Sequence, residues 1–110
     1  MTHPGARDDA AAVTVTDAPQ DHRYEARVGD EPAGKAVYMR TPGVIAFIHT
    51  EVDDAYEGRG VGSALARAAM DDARARGLRV LAICPFIAGW LARRPEYDDL
   101  HYVPESSVSD

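Results

Sequence analysis

Three sets of residues in this 110-residue chain have the types and spacing to do chemistry. His49 stands late in an otherwise apolar stretch, residues 44–52 (VIAFIHTEV), with Glu51 two residues on. An imidazole titrates near neutral pH and can act as general base or proton shuttle, and a nearby carboxylate can orient it. The same two residues also read as a buried imidazole bonded to a carbonyl and a solvated carboxylate at a strand exit. Cys84, the only cysteine, precedes Pro85 at the end of a second apolar run. As a thiolate it would be a nucleophile; as a thiol it is a small core residue. Between them runs Glu57-Gly58-Arg59-Gly60-Val61-Gly62-Ser63. Glycines at 58, 60 and 62 permit positive φ and a close backbone approach to a ligand. A helix starting at Ser63 adds unpaired N–H groups and the positive end of its dipole, a setting suited to phosphate. A bare tight helix start is the alternative. The turn is not a nucleoside-triphosphate loop, because no Gly-Lys-Ser/Thr follows, and Ser63 stands where a dinucleotide fingerprint needs its third glycine.

The patterning around these residues indicates what must position them. Residues 44–52 read as a strand buried on both faces. The helix after the glycines places Leu65, Ala66, Ala69, Met70 and Ala73 on one side. Arg67, Asp71 and Arg74 face away as a solvated surface, Asp72–Arg76 forms an i,i+4 pair, and Gly77 suits the C-cap. Residues 79–84 form the next strand, so the unit is a right-handed crossover joining two parallel strands. Period-two alternation puts His49 and Glu51 on the face of Ile45 and Phe47, opposite Ala46, Ile48 and Thr50. Sites in open α/β sheets collect at the carboxyl ends of parallel strands, which predicts His49 and Cys84 in one pocket.

Upstream, residues 22–28 and 33–40 alternate as strands, separated by the Gly29–Pro32 turn and followed by Thr41-Pro42-Gly43. With residues 44–52 they make an antiparallel meander. Residues 1–20 read as a mobile tail in which Val13–Thr16 could add a short edge strand, and His3 and His22 are read as solvated. Residues 86–94 suit a short helix stopped by Pro95, with Ile87, Trp90 and Leu91 inward and Arg93 and Arg94 as surface charge. The organisation is a tail (1–20), one domain (21–104) and a C-terminal tail (105–110).

The formal charge of −6 argues against nucleic acid or an anionic membrane as partner. A single cysteine excludes an intramolecular disulfide and suits a reducing cytosol. No apolar run approaches the roughly 18–20 residues of a membrane span, and no secretory signal opens the chain. No residues are assigned to a metal.

The run EGRGVGSALARAA resembles the pyrophosphate loop of the GNAT superfamily of acetyltransferases (Gln/Arg-x-x-Gly-x-Gly/Ala), with Glu57 where Gln or Arg is usual. HTEV (49–52), EGRGVGSAL (57–65), the Gly77-Leu78 helix end, CPF (84–86) and RPEY (94–97) together resemble the short, single-domain GNAT-like N-acetyltransferases. Members of that group often carry Glu at this position, and the resemblance spans Tyr24 to Leu100. It implies an α/β fold: a mixed central sheet with antiparallel front strands, a splayed parallel pair and two helices. It implies acetyl-CoA as co-substrate, held by Glu51, Val52, Gly58, Arg59, Gly60, Val61, Gly62 and Ser63, with the pyrophosphate on the N–H groups of residues 59–63. Arg93 and Arg94 could reach the CoA ribose phosphate, the alternative to their reading as surface charge. The thioester would point toward Cys84 and His49, the candidate active-site pair. Acetyl would pass to a small amine or a protein amino group, through a cysteine thioester or by direct attack. The implied protein is cytoplasmic and a monomer or weak homodimer. The chain is short of the helices that wall the acceptor site in full-length GNAT enzymes. Two alternatives stand beside this reading: a CoA-binding module without productive transfer, and a small interaction protein whose glycines only shape a turn.

Overall fold

Apolar residues alternate through the first half of the chain and recur at helical spacing after Val61. The computed structural model, which describes residues 13–102, shows a sheet followed by helices. Strands β1 (Val13–Ala18), β2 (Arg23–Val28), β3 (Glu31–Thr41) and β4 (Val44–Val52) each run antiparallel to the next. β5 (Arg79–Ala82) pairs parallel with β4, so the sheet order is β1-β2-β3-β4-β5. The crossover helix is α1 (Val61–Ala75), and α2 (Pro85–Ala92) follows β5. This is the mixed sheet with antiparallel front strands, a parallel pair and two helices that the resemblance implies.

The N-terminal boundary differs from expectation. From Val13 onward the chain is not a tail: Val13 and Val15 pack against the core, and β1 pairs along β2. Asp17 fastens this edge. It accepts a hydrogen bond from the Tyr38 hydroxyl at 2.5 Å and sits 3.5 and 3.6 Å from Arg40 and Arg76. The earlier residues, and the tail expected over 105–110, lie outside the described part. Residues 101 and 102 add to the β5 edge, where the Tyr102 N–H donates to the Val80 carbonyl at 2.8 Å.

One face of the sheet, with Tyr24, Ala26, Ala36, Tyr38, Ile45 and Phe47, packs on α1 through Leu65, Ala66, Ala69, Met70 and Ala73. The alanines let the helix lie close. Gly34 is required where β4 and α1 both close on β3: a Cβ there would stand 2.7 Å from the Glu51 carbonyl oxygen of β4 and 3.2 Å from Val61 of α1. The end of α1 is a Schellman motif, with Gly77 N–H to Arg74 and Leu78 N–H to Ala73 (3.1 and 2.9 Å) and Gly77 at φ +72°.

The outward side of α1 is exposed at Arg67, Asp71 and Arg74, as expected, and the same charges also reach the C-terminal segment. Asp71 accepts from the Tyr97 hydroxyl at 2.7 Å, and Arg67 lies 5.4 Å from the Trp90 ring. Arg74 pairs with Asp99 and covers Tyr97. These charges dock the C-terminal segment, whose aromatic rings give guanidinium groups a surface to stack on.

Two outcomes follow. Burial, reinforced by hydrogen bonds to Asp72 and Asp17, pushes the Tyr24 and Tyr38 phenols up, Tyr38 to about 12. The folded state therefore holds these protons more tightly than the unfolded chain, whose phenols titrate near pH ~10. The stabilisation is complete below that pH and is lost as pH rises through the folded values. Urea unfolding across the alkaline range should show this decline, and Tyr38→Phe should make it shallower. Gly34→Ala should cost about 1–3 kcal/mol by overpacking, read from the same unfolding curves.

Candidate functional site

The local geometry of β4 decides where the candidate residues point. The register against β3 passes from Tyr38↔Phe47 to Val37↔His49, leaving Ile48 as an extra residue. Such a bulge reverses the inside–outside order of everything beyond it. Thr50 therefore lies opposite Ala36 on the inner face, while His49 and Glu51 lie opposite Val37 and Lys35 on the outer one. This overturns the expectation that His49 shares the face of Ile45 and Phe47. That His49 and Glu51 share a face holds.

Cys84 goes to the other side. Its N–H donates to the Phe47 carbonyl at 2.8 Å and its thiol to Thr50 Oγ1 at 3.3 Å, with the residue 4% exposed. β5 stops at Ala82, short of the expected Cys84, because the N–H groups of Ile83 and Cys84 both turn to Phe47 and Pro85 then opens α2. His49 instead places Nε2 2.8 Å from Glu51 Oε2, both side chains 56% exposed. The expected pair is thus drawn to different partners by the bulge.

The hydrogen bond from His49, and then the Lys35 ammonium at 3.8 Å, hold the Glu51 carboxyl below its ordinary range. An ionised carboxylate only accepts, so Nε2 carries the hydrogen, and in the neutral form of the ring the lone pair is on Nδ1. Past Phe47 and Ala82 the parallel strands part, and among the described residues no strand pairs with the β5-facing edge of β4 from Ile48 to Val52.

The glycine turn begins with a 3-10 turn, Asp54–Tyr56, capped by the Asp53 carboxylate on the Ala55 N–H at 3.1 Å. Gly58 (φ +79°) and Gly60 (φ +82°) take the left-handed conformation, with open space where a Cβ would stand. Gly60 is the N-cap, and the first helical bond runs from Ala64 N–H to Gly60 at 2.9 Å. The N–H groups of Val61, Gly62 and Ser63 are left without intrahelical partners. The helix begins at Val61, two residues before the expected Ser63, so Gly62 is helical. Its missing Cβ admits the Phe86 ring, which would lie 2.8 Å from such an atom. Ser63 does not cap; its Oγ accepts from Trp90 Nε1 at 3.0 Å.

A cleft of about 390 Å³ gathers Val52, Gly58 and Gly60–Ser63. Phe86, Trp90, Arg93 and Arg94, from α2 and just beyond it, supply a wall; the sequence placed the aromatics in the core and read the two arginines first as surface charge, with the ligand-facing role as the alternative. The available signal was the i,i+4 spacing of Phe86 and Trp90, which gives one aromatic face. Arg94 lies 4.1 Å from the Trp90 ring centre. The Glu51 side chain is on the other face of the sheet, and Arg59 lies over the Tyr56 ring at 5.5 Å. Among the described residues, no three His, Cys, Asp or Glu side chains are grouped to hold a metal ion, and no helix is long and apolar enough to cross a membrane.

Comparison with known proteins places this geometry. A family model described as GCN5-related N-acetyl-transferase matches residues 23–100. The solution structure of a GCN5-like protein from Staphylococcus aureus is similar, with a TM-score of 0.65 at 22% identity, over 90% of this chain and 97% of that one. No curated protein matches the sequence.

The depressed Glu51 pKa carries a definite sign. Its contact with His49 and Lys35 is complete above the unfolded carboxylate value of about 4.3 and is lost only as pH falls through the lower folded value. Side-chain carboxyl NMR of Glu51 should titrate below that range, and His49→Ala should move it back up.

Proposed function

We propose, for a chain that belongs to the GCN5-related N-acetyltransferase family, that it transfers acetyl from acetyl-CoA to a primary amine. One observation carries this reading: the cleft at the start of α1 meets the unpartnered edge of β4 at Val52. The backbone there fits a pyrophosphate. Gly58 and Gly60 hold positive φ in open space, and three successive N–H groups and the helix dipole face the cleft's anion end. The exposed β4 edge suits an amide-bearing chain, which can hydrogen-bond to it as an added strand does.

The chain's own residues then divide the work. The amine must lose a proton to attack, and His49 Nδ1, with the tautomer set by Glu51, is the group to take it. The amine nitrogen bonds the acetyl carbon as the carbon–sulfur bond breaks, and the electron pair leaves on the CoA sulfur. The Cys84 thiol, buried and donating to Thr50, supports direct attack over a cysteine thioester. Its place is structural: it ties the end of β5 to β4 across the gap between the strands.

Acetyl-CoA at about a hundred times its dissociation constant should stabilise the fold by about 2.7 kcal/mol, on the order of ten degrees in Tm. Gly60→Val should lose that shift. Absence of a shift in the native protein at millimolar acetyl-CoA would end this reading. In turnover, His49→Gln should lower kcat by about 10²–10⁴-fold while Cys84→Ala retains activity. The reverse pattern would restore the thioester route, and binding without turnover of any amine would leave a CoA-binding module.

A further inference from the structure

We infer that the acceptor is a small zwitterion: a primary amine carrying an anionic group several bonds away on a flexible chain. This rests on the acetyltransferase reading above and extends it to the class of amine. A second hollow, about 380 Å³, opens on the other side of Val52 from the cofactor cleft, so that residue belongs to both walls. Glu51 lines it and carries His49 at its edge, which brings the proton acceptor to one end.

The charges of this hollow are sorted by strand. On β2, Arg23 and Arg27 both lie beside the single carboxylate of Glu25, at 2.8 and 4.0 Å, leaving that side with an excess of positive charge. On and just after β4, the carboxylates of Glu51 and Asp53 line the hollow, with the Lys35 ammonium of β3 3.8 Å from Glu51 and the His49 ring hydrogen-bonded to Glu51 at its edge, so that two carboxylates stand against one ammonium on that side. The register sets these groups in line: Glu25, Lys35 and Glu51 are successive partners across three strands. Strands are about 4.8 Å apart, so the two ends are separated by about 10 Å. An ammonium belongs at the Glu51 end and an anion at the Arg23–Arg27 end, where a guanidinium can hold a carboxylate through two N–H groups. That span excludes the adjacent amine and carboxylate of an α-amino acid's head. It also disfavours a lysine within a peptide, whose carboxylate is used in the backbone.

The test compares ε-aminocaproate with hexylamine, which lacks only the carboxylate, and with an internal lysine of a neutral blocked peptide. With acetyl-CoA and the full chain, kcat/KM for ε-aminocaproate should exceed that for the other two by about tenfold or more, the scale of one charge-assisted hydrogen bond. Arg27→Gln should bring that ratio close to one. Equal rates for the three amines, or a ratio unmoved by Arg27→Gln, would overturn the inference. Binding separates this from failure of the underlying reading. Millimolar ε-aminocaproate should shift the NMR signals of the Arg23 and Arg27 guanidinium groups and of His49 without acetyl-CoA present. If those signals move and no amine is acetylated, the hollow stands and the acetyltransferase reading falls; if they do not move, the zwitterion site is wrong whatever the activity.

Discussion

A single extra residue in β4 governs the arrangement of this protein. Without Ile48 against the Val37–Tyr38 step, strict alternation would turn His49 and Glu51 into the core beneath α1 and Thr50 out to solvent. An ion-pairing carboxylate in that alanine-lined interior would carry a desolvation cost of several kcal/mol. The bulge resolves the conflict between a strand that must bury Ile45 and Phe47 and a strand end that must present polar groups. The same shift hands Thr50 to the inner face, where the Cys84 thiol finds it.

The bulge acts together with the parting of β4 and β5. Two N–H groups converge on the Phe47 carbonyl, the ladder ends, and Pro85 starts α2 almost at once. A sheet edge left unpaired in this way is ordinarily a liability, which makes its position beside an open helix N-terminus informative. The cleft is then completed by a short helix that has little core of its own. Trp90 anchors it through Ser63, Arg67 and Arg94 stack on the indole, and Phe86 rests where Gly62 lacks a Cβ. In a domain of this size, with only a modest core, cation–π and hydrogen-bond contacts of these kinds take over packing that a larger sheet layer would supply.

Much of the frame was legible from residue patterns. The period-two runs, the Gly29 and Gly43 turns, the apolar stripe Leu65–Ala73 and the Gly77 terminus are local signals, since each depends on backbone preference or on neighbours within a few residues. The glycine turn was legible for the same reason, although only Gly58 and Gly60 use positive φ and Gly62 serves packing instead. Two features stayed open where local sequence had no access to the partner. The charged side of α1 is exposed as expected, but its contacts with Tyr97 and Asp99 come from across more than twenty residues. Val13–Thr16 read as tail or as a short edge strand, and pairing with β2 decided for the strand, extended to Ala18.

The amino-acid sequence by itself determined the element order, the crossover and the glycine-rich, open start of α1. These follow from hydrophobic period and glycine conformation, which act over short spans of chain. Tertiary structure alone decided which way His49 faces, what Cys84 touches, and which charges line the second hollow. Those depend on the register of β4 against β3, and a register is set by the balance of all cross-strand and core contacts at once, not by any one strand's residues.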